Sequence, residues 1–147
     1  MTAPTTPPKL SLPQALEQAR AKRAWELVDK RVIKIRDTDP KQARKYAQLA
    51  QSAPTLIQTN GLGQAMAFWK SKSKSEQEKE RPHGDLLNDL SDWLRRQLNI
   101  PAEQKDVLIY LLQSDNVTRY RRATLETLAF LRWLKRFAEA EMPEAKP

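Results

Sequence analysis

The sequence predicts an all-α protein, a compact single-domain bundle of about five to six helices with no β-sheet. Three observations carry that expectation. Apolar residues recur at steps of three and four along most of the 147 residues, the spacing that lines one face of a helix. Polar caps precede prolines, with Ser11 two residues before Pro13 and Asp39 next to Pro40, which is a helix-start signal. No stretch alternates β-branched and polar residues with a period of two, so strands are not expected.

Residues 1–10 hold Pro and Thr with almost nothing to bury and read as a flexible N-terminal arm; the helical domain spans 11–142. Ser11 caps a long first helix that reaches about residue 36, with Leu16, Ala24, Leu27, Val28, Val32 and Ile35 among its apolar positions. Asp39 and Pro40 open a second helix to about residue 52, turning Ala43, Tyr46, Ala47 and Ala50 inward. Pro54 is expected to begin a third helix that passes through Asn60-Gly61-Leu62-Gly63 and on to about residue 72. Two glycines weaken a helix by about 1 kcal/mol each relative to alanine, so that motif is a kink, a break or a close-packing point. Over 71–84 only Pro82 offers an apolar anchor, and the stretch is expected to be a mobile loop.

The fourth helix, about 85–98, has the clearest stripe: Leu86, Leu87, Leu90, Trp93, Leu94 and Leu98 share a face. A shorter helix is expected over about 102–113. Ser114 or Asp115 then caps a last, long helix over about 117–141, which Pro143 stops.

Twenty-six Lys and Arg against 18 Asp and Glu leave a net charge of +8, which favours polyanionic partners. Residues 1–36 carry +5, residues 37–81 carry +3 and residues 82–147 carry none of the excess. The positive charge therefore lies mainly on segments that read as helix and belongs to a surface with a shape. The absence of cysteine excludes a disulfide framework and thiolate metal sites. The N-terminus lacks the basic and apolar segments of a signal peptide. The longest apolar run, Val107 to Leu112, is far below the ~20 residues of a spanning helix. A cytoplasmic protein is expected.

Catalysis needs a nucleophile beside a base, a carboxylate pair or a metal cluster, and the sequence is poor in all three. His83, the only histidine, falls between Pro82 and Gly84 and is expected to be exposed or to stabilise a turn. Asp85, Asp89 and Asp92 could hold a cation, but acids in a first turn already suit the helix dipole. Gly61-Leu62-Gly63 fails the dinucleotide-binding pattern, since its third glycine would fall at Met66 and no strand precedes it. No catalytic residue, cofactor, metal or small-molecule substrate is implied. Trp69 and Trp93 belong to apolar stripes; Trp25 and Tyr120, in more basic neighbourhoods, are the better candidates for stacking on bases.

The last helix is the most informative. At 100° per residue, Tyr120, Ala123, Phe130, Trp133, Leu134 and Phe137 share the arc that should face the core. Opposite them Arg121, Arg132, Lys135 and Arg136 converge on an arc that also holds Leu125 and Leu128 and is read as free of acids. Arg119 and Arg122 extend the charge at the helix start. On the first helix Arg23, Lys30 and Lys34 share a face, and Lys70 and Lys72 end the third. Such faces could bind phosphates or lie against another subunit, with a merely solubilising face as the alternative; an ordinary solvated face would interleave acids with bases, as the α6 arc is read not to do.

Two runs carry a resemblance. Ser52-Ala53-Pro54-Thr55-Leu56-Ile57-Gln58-Thr59-Asn60-Gly61-Leu62-Gly63-Gln64-Ala65-Met66-Ala67-Phe68-Trp69-Lys70-Ser71-Lys72 is one. The other is Tyr120-Arg121-Arg122-Ala123-Thr124-Leu125-Glu126-Thr127-Leu128-Ala129-Phe130-Leu131-Arg132-Trp133-Leu134-Lys135-Arg136-Phe137-Ala138-Glu139-Ala140. Together they resemble the small helical subunit of type III-B CRISPR effector complexes, the Cmr module, over roughly residues 12–141. The resemblance implies a non-catalytic all-α protein that stacks in a short filament inside a ribonucleoprotein engaged in antiviral defence. It implies further copies of the chain, other effector subunits, guide RNA and target RNA as partners. Contacts in that family are scattered, so none carries over by motif, and the basic residues above stand on charge geometry alone. A free-standing helix-turn-helix DNA binder, with Asn116, Thr118, Arg119 and Arg122 reading bases, is the alternative. The basic strip's extension to Arg136 suits it less well.

Overall fold

A computed structural model of the chain describes residues 9–113 and 115–147. The expected N-terminal arm lies outside the described residues apart from Lys9 and Leu10, and Ser114 lies outside them too.

Helix α1 (Leu12–Val28) starts in a capping box: the Ser11 hydroxyl accepts the Gln14 N–H at 3.3 Å, and the Gln14 side chain accepts the Ser11 N–H at 3.0 Å. Two orphan donors are satisfied at once. The expected single helix to residue 36 is in fact α1 followed by a π-helical turn, Asp29–Ile33.

Helix α2 (Pro40–Asn60) begins at Asp39, whose side chain accepts the Gln42 N–H at 3.4 Å. It then runs through Pro54 without a break, so the third helix does not begin there as expected. An interior proline costs a helix about 3 kcal/mol. Here Ala47, Ala50, Ala53 and Ile57, on both sides of it, are fully buried, and that packing outweighs local propensity. The break comes at Gly61, with φ +87° and ψ 159°, a backbone region open essentially to glycine alone.

Helix α3 (Leu62–Ser73) follows at once. A Cβ on Gly63 would lie 3.0 Å from the Tyr120 hydroxyl, which accepts the Gly63 N–H at 2.7 Å. The motif is thus a break at its first glycine and a close approach at its second.

Of 71–84, residues 71–73 close α3, Glu78–Glu80 form a 3-10 turn, and 81–84 already belong to helix α4 (Arg81–Gln97). Helix α5 (Val107–Gln113) is shorter than expected, with 101–106 irregular before it. Pro101, exposed polar residues and the Asp106 carboxylate, which accepts the Ile109 N–H at 3.2 Å, place the helix start late. Helix α6 (Val117–Glu141) has the expected bounds, but its cap is Asn116, which accepts the Arg119 N–H at 3.2 Å. Among the described residues there is no strand.

Helix α6 lies against both α1 and α2, and α4 covers α2, α3 and α5. Trp69, Tyr46, Phe130 and a set of leucines fill the space between them, and Trp93 stacks on Phe130 with ring centroids 4.9 Å apart. Arginines of the first helical segment stitch these helices together. Arg20 grips Glu126 with two hydrogen bonds of 2.8 Å, and the same carboxylate accepts the Trp93 indole N–H at 3.0 Å. Arg31, inside the π turn, grips Asp89 at 3.0 and 2.8 Å, and Asp89 also accepts the Tyr46 hydroxyl at 2.8 Å. These pairs hold both guanidinium groups firmly protonated, and burial pushes the Tyr46 phenol well above its ordinary range. Arg36 donates to the Glu141 carbonyl at 2.8 Å, and Gln51 donates to the Ala145 carbonyl at 2.6 Å.

His83 is buried rather than exposed, at 3% relative exposure. Helix α4 starts four residues earlier than expected and carries His83 under the Phe68 ring, edge to face at 5.8 Å. Its Nδ1 lies 3.2 Å from the Glu80 carbonyl and 3.1 Å from the Glu80 carboxylate. Burial lowers its pKa below the ordinary 6.5, against the pull of Glu80.

Three outcomes are expected. Gly61→Val should lower stability by about 1–3 kcal/mol, because it forces a branched side chain into a glycine-only conformation; denaturant unfolding would show it, and an unchanged midpoint would refute the strained turn. Arg20→Ala, which leaves Glu126 buried without its ion partner, should cost about 3 kcal/mol, and Arg20→Ala with Glu126→Gln should recover part of that loss. The folded state takes up a proton at His83 less readily than the unfolded chain. Its contribution is therefore present above the unfolded-state value of about 6.5 and lost as the pH falls below it, through the lower value of the folded state. Thermal melts of the parent should drop as the pH falls below about 6.5 more steeply than those of His83→Leu, and parallel profiles would contradict the assignment.

Candidate nucleic-acid interface

The α6 strip stands on a helix whose opposite face is fixed by Ala123, Phe130, Leu134 and Ala138, all fully buried. Fixing one face fixes the other. Arg121, Arg132 and Arg136 are exposed, Lys135 is half-buried, Leu125 keeps 58% of its surface in solvent and Leu128 packs against the core. Arg132, Lys135 and Arg136 line a groove of about 320 Å³ with Thr55 and Gln58 of α2. The arc is not free of acid: Glu139, one turn beyond Arg136, lies on it and approaches that guanidinium to 3.7 Å. The strip remains positive because three cations face one carboxylate in the groove.

Most of the remaining basic residues are engaged by partners of their own. Arg119 donates to the Tyr110 hydroxyl at 2.8 Å and lies over that ring at 5.3 Å. Arg122 donates to the Gln97 carbonyl at 3.3 Å. Arg23 faces Glu26 at 3.2 Å and Asp92 at 3.6 Å, and Lys34 faces Asp29 at 3.2 Å. Lys30 is exposed. Lys70 is hydrogen-bonded to Asp106, whose carboxyl burial would raise but whose bonds to Lys70 and to the Ile109 N–H hold below its usual range. Lys72 sits 5.8 Å from the Phe68 ring centroid. Of the structural motif, Asn60 closes α2 and Leu62 is buried at the start of α3.

Aromatic platforms are no better supplied. The Tyr120 hydroxyl is taken by Gly63. Trp25 meets Phe137 edge to face at 5.6 Å while 43% exposed. Trp133 donates its indole N–H to Glu17 at 3.1 Å; the bond from Arg20 and this one lower the Glu17 pKa.

Nor do the acids of α4 form a cation site. Asp89 is held by Arg31 and Tyr46, Asp85 lies 3.6 Å from Arg31, and Asp92 pairs with Arg96 at 2.9 Å. No group of three or more ligating residues gathers among the described residues. Among the described residues no helix is long and apolar enough to cross a membrane. For the helix-turn-helix alternative, Arg119 and Arg122 are already engaged by α5 and the end of α4. Helix α6 also packs along α1 and α2 instead of projecting.

Comparison with known proteins agrees with the resemblance over a span that includes both runs. The family model for the CRISPR-associated protein Cas_Cmr5 matches residues 16–141. The chain is 33% identical over 132 residues to the CRISPR system Cmr subunit Cmr5 of Thermus thermophilus, covering 86% of this chain and 96% of that one. The crystal structure of a CRISPR-associated Cmr5 family protein from the same organism superposes with a TM-score of 0.59 at 27% identity, over 86% of this chain and 96% of the other. The chain therefore belongs to the CRISPR-associated Cmr5 family, the small helical subunits of the type III-B Cmr module.

Proposed function

We propose that this chain is the non-catalytic small subunit of a Cmr effector complex, stacking on copies of itself beside the other subunits and supporting guide–target RNA in antiviral defence. The observation that carries the reading is the α2–α6 groove, where Arg132, Lys135 and Arg136 converge with Thr55 and Gln58 on helices pinned from behind by the core. Cations on rigid elements bind phosphates without reading bases. In a guided complex sequence is read by base pairing, so nothing more is required of the protein. Protein contacts fall to exposed apolar residues, of which Leu125 stands on the strip itself and the others lie near the α5–α6 junction. Ile109, Leu112, Val117 and Leu125 all keep large apolar areas in solvent, which suits subunit interfaces.

Reversing Arg132 and Arg136 to Glu should leave helicity intact, because surface substitutions change stability by less than about 0.5 kcal/mol. RNA binding should weaken, with the salt slope falling by roughly 0.7 per lost contact and no dependence on sequence. Intact RNA affinity with failed incorporation into the complex would make the strip a subunit face. No change in either would return it to a solvated surface.

A further inference from the structure

The whole of α2, from Pro40 to Asn60, contains no acidic residue. Its solvent side carries Lys41, Arg44 and Lys45, then Gln48 and Ser52, then Thr55 and Gln58. Three concavities follow one another along this helix. The first, at its N-terminal end, is lined by Lys41, Arg44, Lys45 and Gln48 with Lys79 of the 3-10 turn. The second, beside Gln51, is lined by Lys135 and by Lys146 of the C-terminal segment, which the Gln51 bond to the Ala145 carbonyl holds against the helix. The third is the α2–α6 groove already described. Each end of the series supplies cations. Acids enter only at the margins, as Glu80 in the first and Glu139 in the other two.

From these observations we infer that the outer face of α2 is one continuous track for a single RNA strand, entering at Lys41, Arg44 and Lys79 and leaving at Arg132 and Arg136. The inference rests on the RNA-binding reading above and extends it to a site that the α6 strip does not contain. From Lys41 to Thr55 the helix rises about 21 Å, the reach of several nucleotides and not of one phosphate. Between the charged ends stand amides and hydroxyls, donors and acceptors suited to phosphate and ribose oxygens. The composition favours nucleic acid over protein as the occupant. No large hydrophobic side chain of α2 is exposed, whereas the core of a protein interface is apolar. The neighbouring Gln42 points the same way: it is buried with its Nε2 committed to the Glu78 carbonyl at 2.8 Å, so the 3-10 turn bearing Lys79 is moored to α2 and the first concavity is preformed.

The experiment measures binding of the full chain to oligouridylates of about 2 and about 12 nucleotides, comparing the double variants Lys41→Glu with Arg44→Glu, Arg132→Glu with Arg136→Glu, and a control pair, Lys22→Glu with Lys105→Glu, of equal charge change. Melting curves confirm that each folds. On a continuous track the long strand spans both ends, so either reversal should weaken it on the order of tenfold, and the control pair should do much less. The short strand can settle at whichever end survives, so its affinity should fall only about twofold. If the α6 reversal weakens RNA binding and the α2 reversal matches the control, the track is overturned while the RNA-binding reading stands. If both match the control, that reading fails as well. A loss of tenfold order for the short strand too would mean a single local site, and lost assembly with unchanged RNA affinity would mean a protein face; each overturns the inference.

Discussion

The bundle depends on one buried carboxylate. Glu126 receives two hydrogen bonds from Arg20 of α1 and one from the Trp93 indole of α4 while itself belonging to α6, so three helices meet at a single charged group. An ion pair this deep is costly to assemble and more costly to break, because removing one partner strands the other charge. The Arg31–Asp89–Tyr46 cluster repeats the device between the π turn, α4 and α2. Together they set the rotation of α6 and α4 about their own axes, and with it which side chains face water.

That arrangement sorts the charge. Glu126 and Asp89 face inward to meet arginines, so one acid of α6 and one of α4 are held inside, while Glu139 stays on the outer strip of α6. Helix α2 has no acid to begin with. Basic residues are left concentrated on the solvent sides of α2 and α6, next to each other, on elements that the core keeps rigid. A sequence-independent RNA support needs little else, because fixed cations bind phosphates whatever the bases are.

Much of the fold was legible in the sequence because capping and periodicity are local. Ser11, Asp39 and the leucine stripe of α4 mark elements by residues within a turn or two of one another. Pro54 misled because its local cost is overcome by burial against α6, a contact far away in sequence. His83 misled for the same reason: a polar neighbourhood in sequence lies over Phe68 in space. The basic strip of α6 is visible on the helical wheel, and Glu139 falls on the same arc. The roles of Arg20, Arg31 and Arg36 are not visible there, since their partners lie 58 to 106 residues away and nothing in a lone arginine says whether it meets water or a carboxylate. The absence of acids from α2 was the unread signal, plain in composition but meaningful only once α2 and α6 were seen side by side.

The most direct measurement is recovery of the tagged chain from its host under gentle, low-salt conditions, followed by identification of what comes with it. The account predicts a guide RNA and large CRISPR effector subunits in the same fraction, released from this chain as salt is raised if phosphate contacts contribute to its hold. Recovery of the chain alone, without RNA or other subunits, would contradict it.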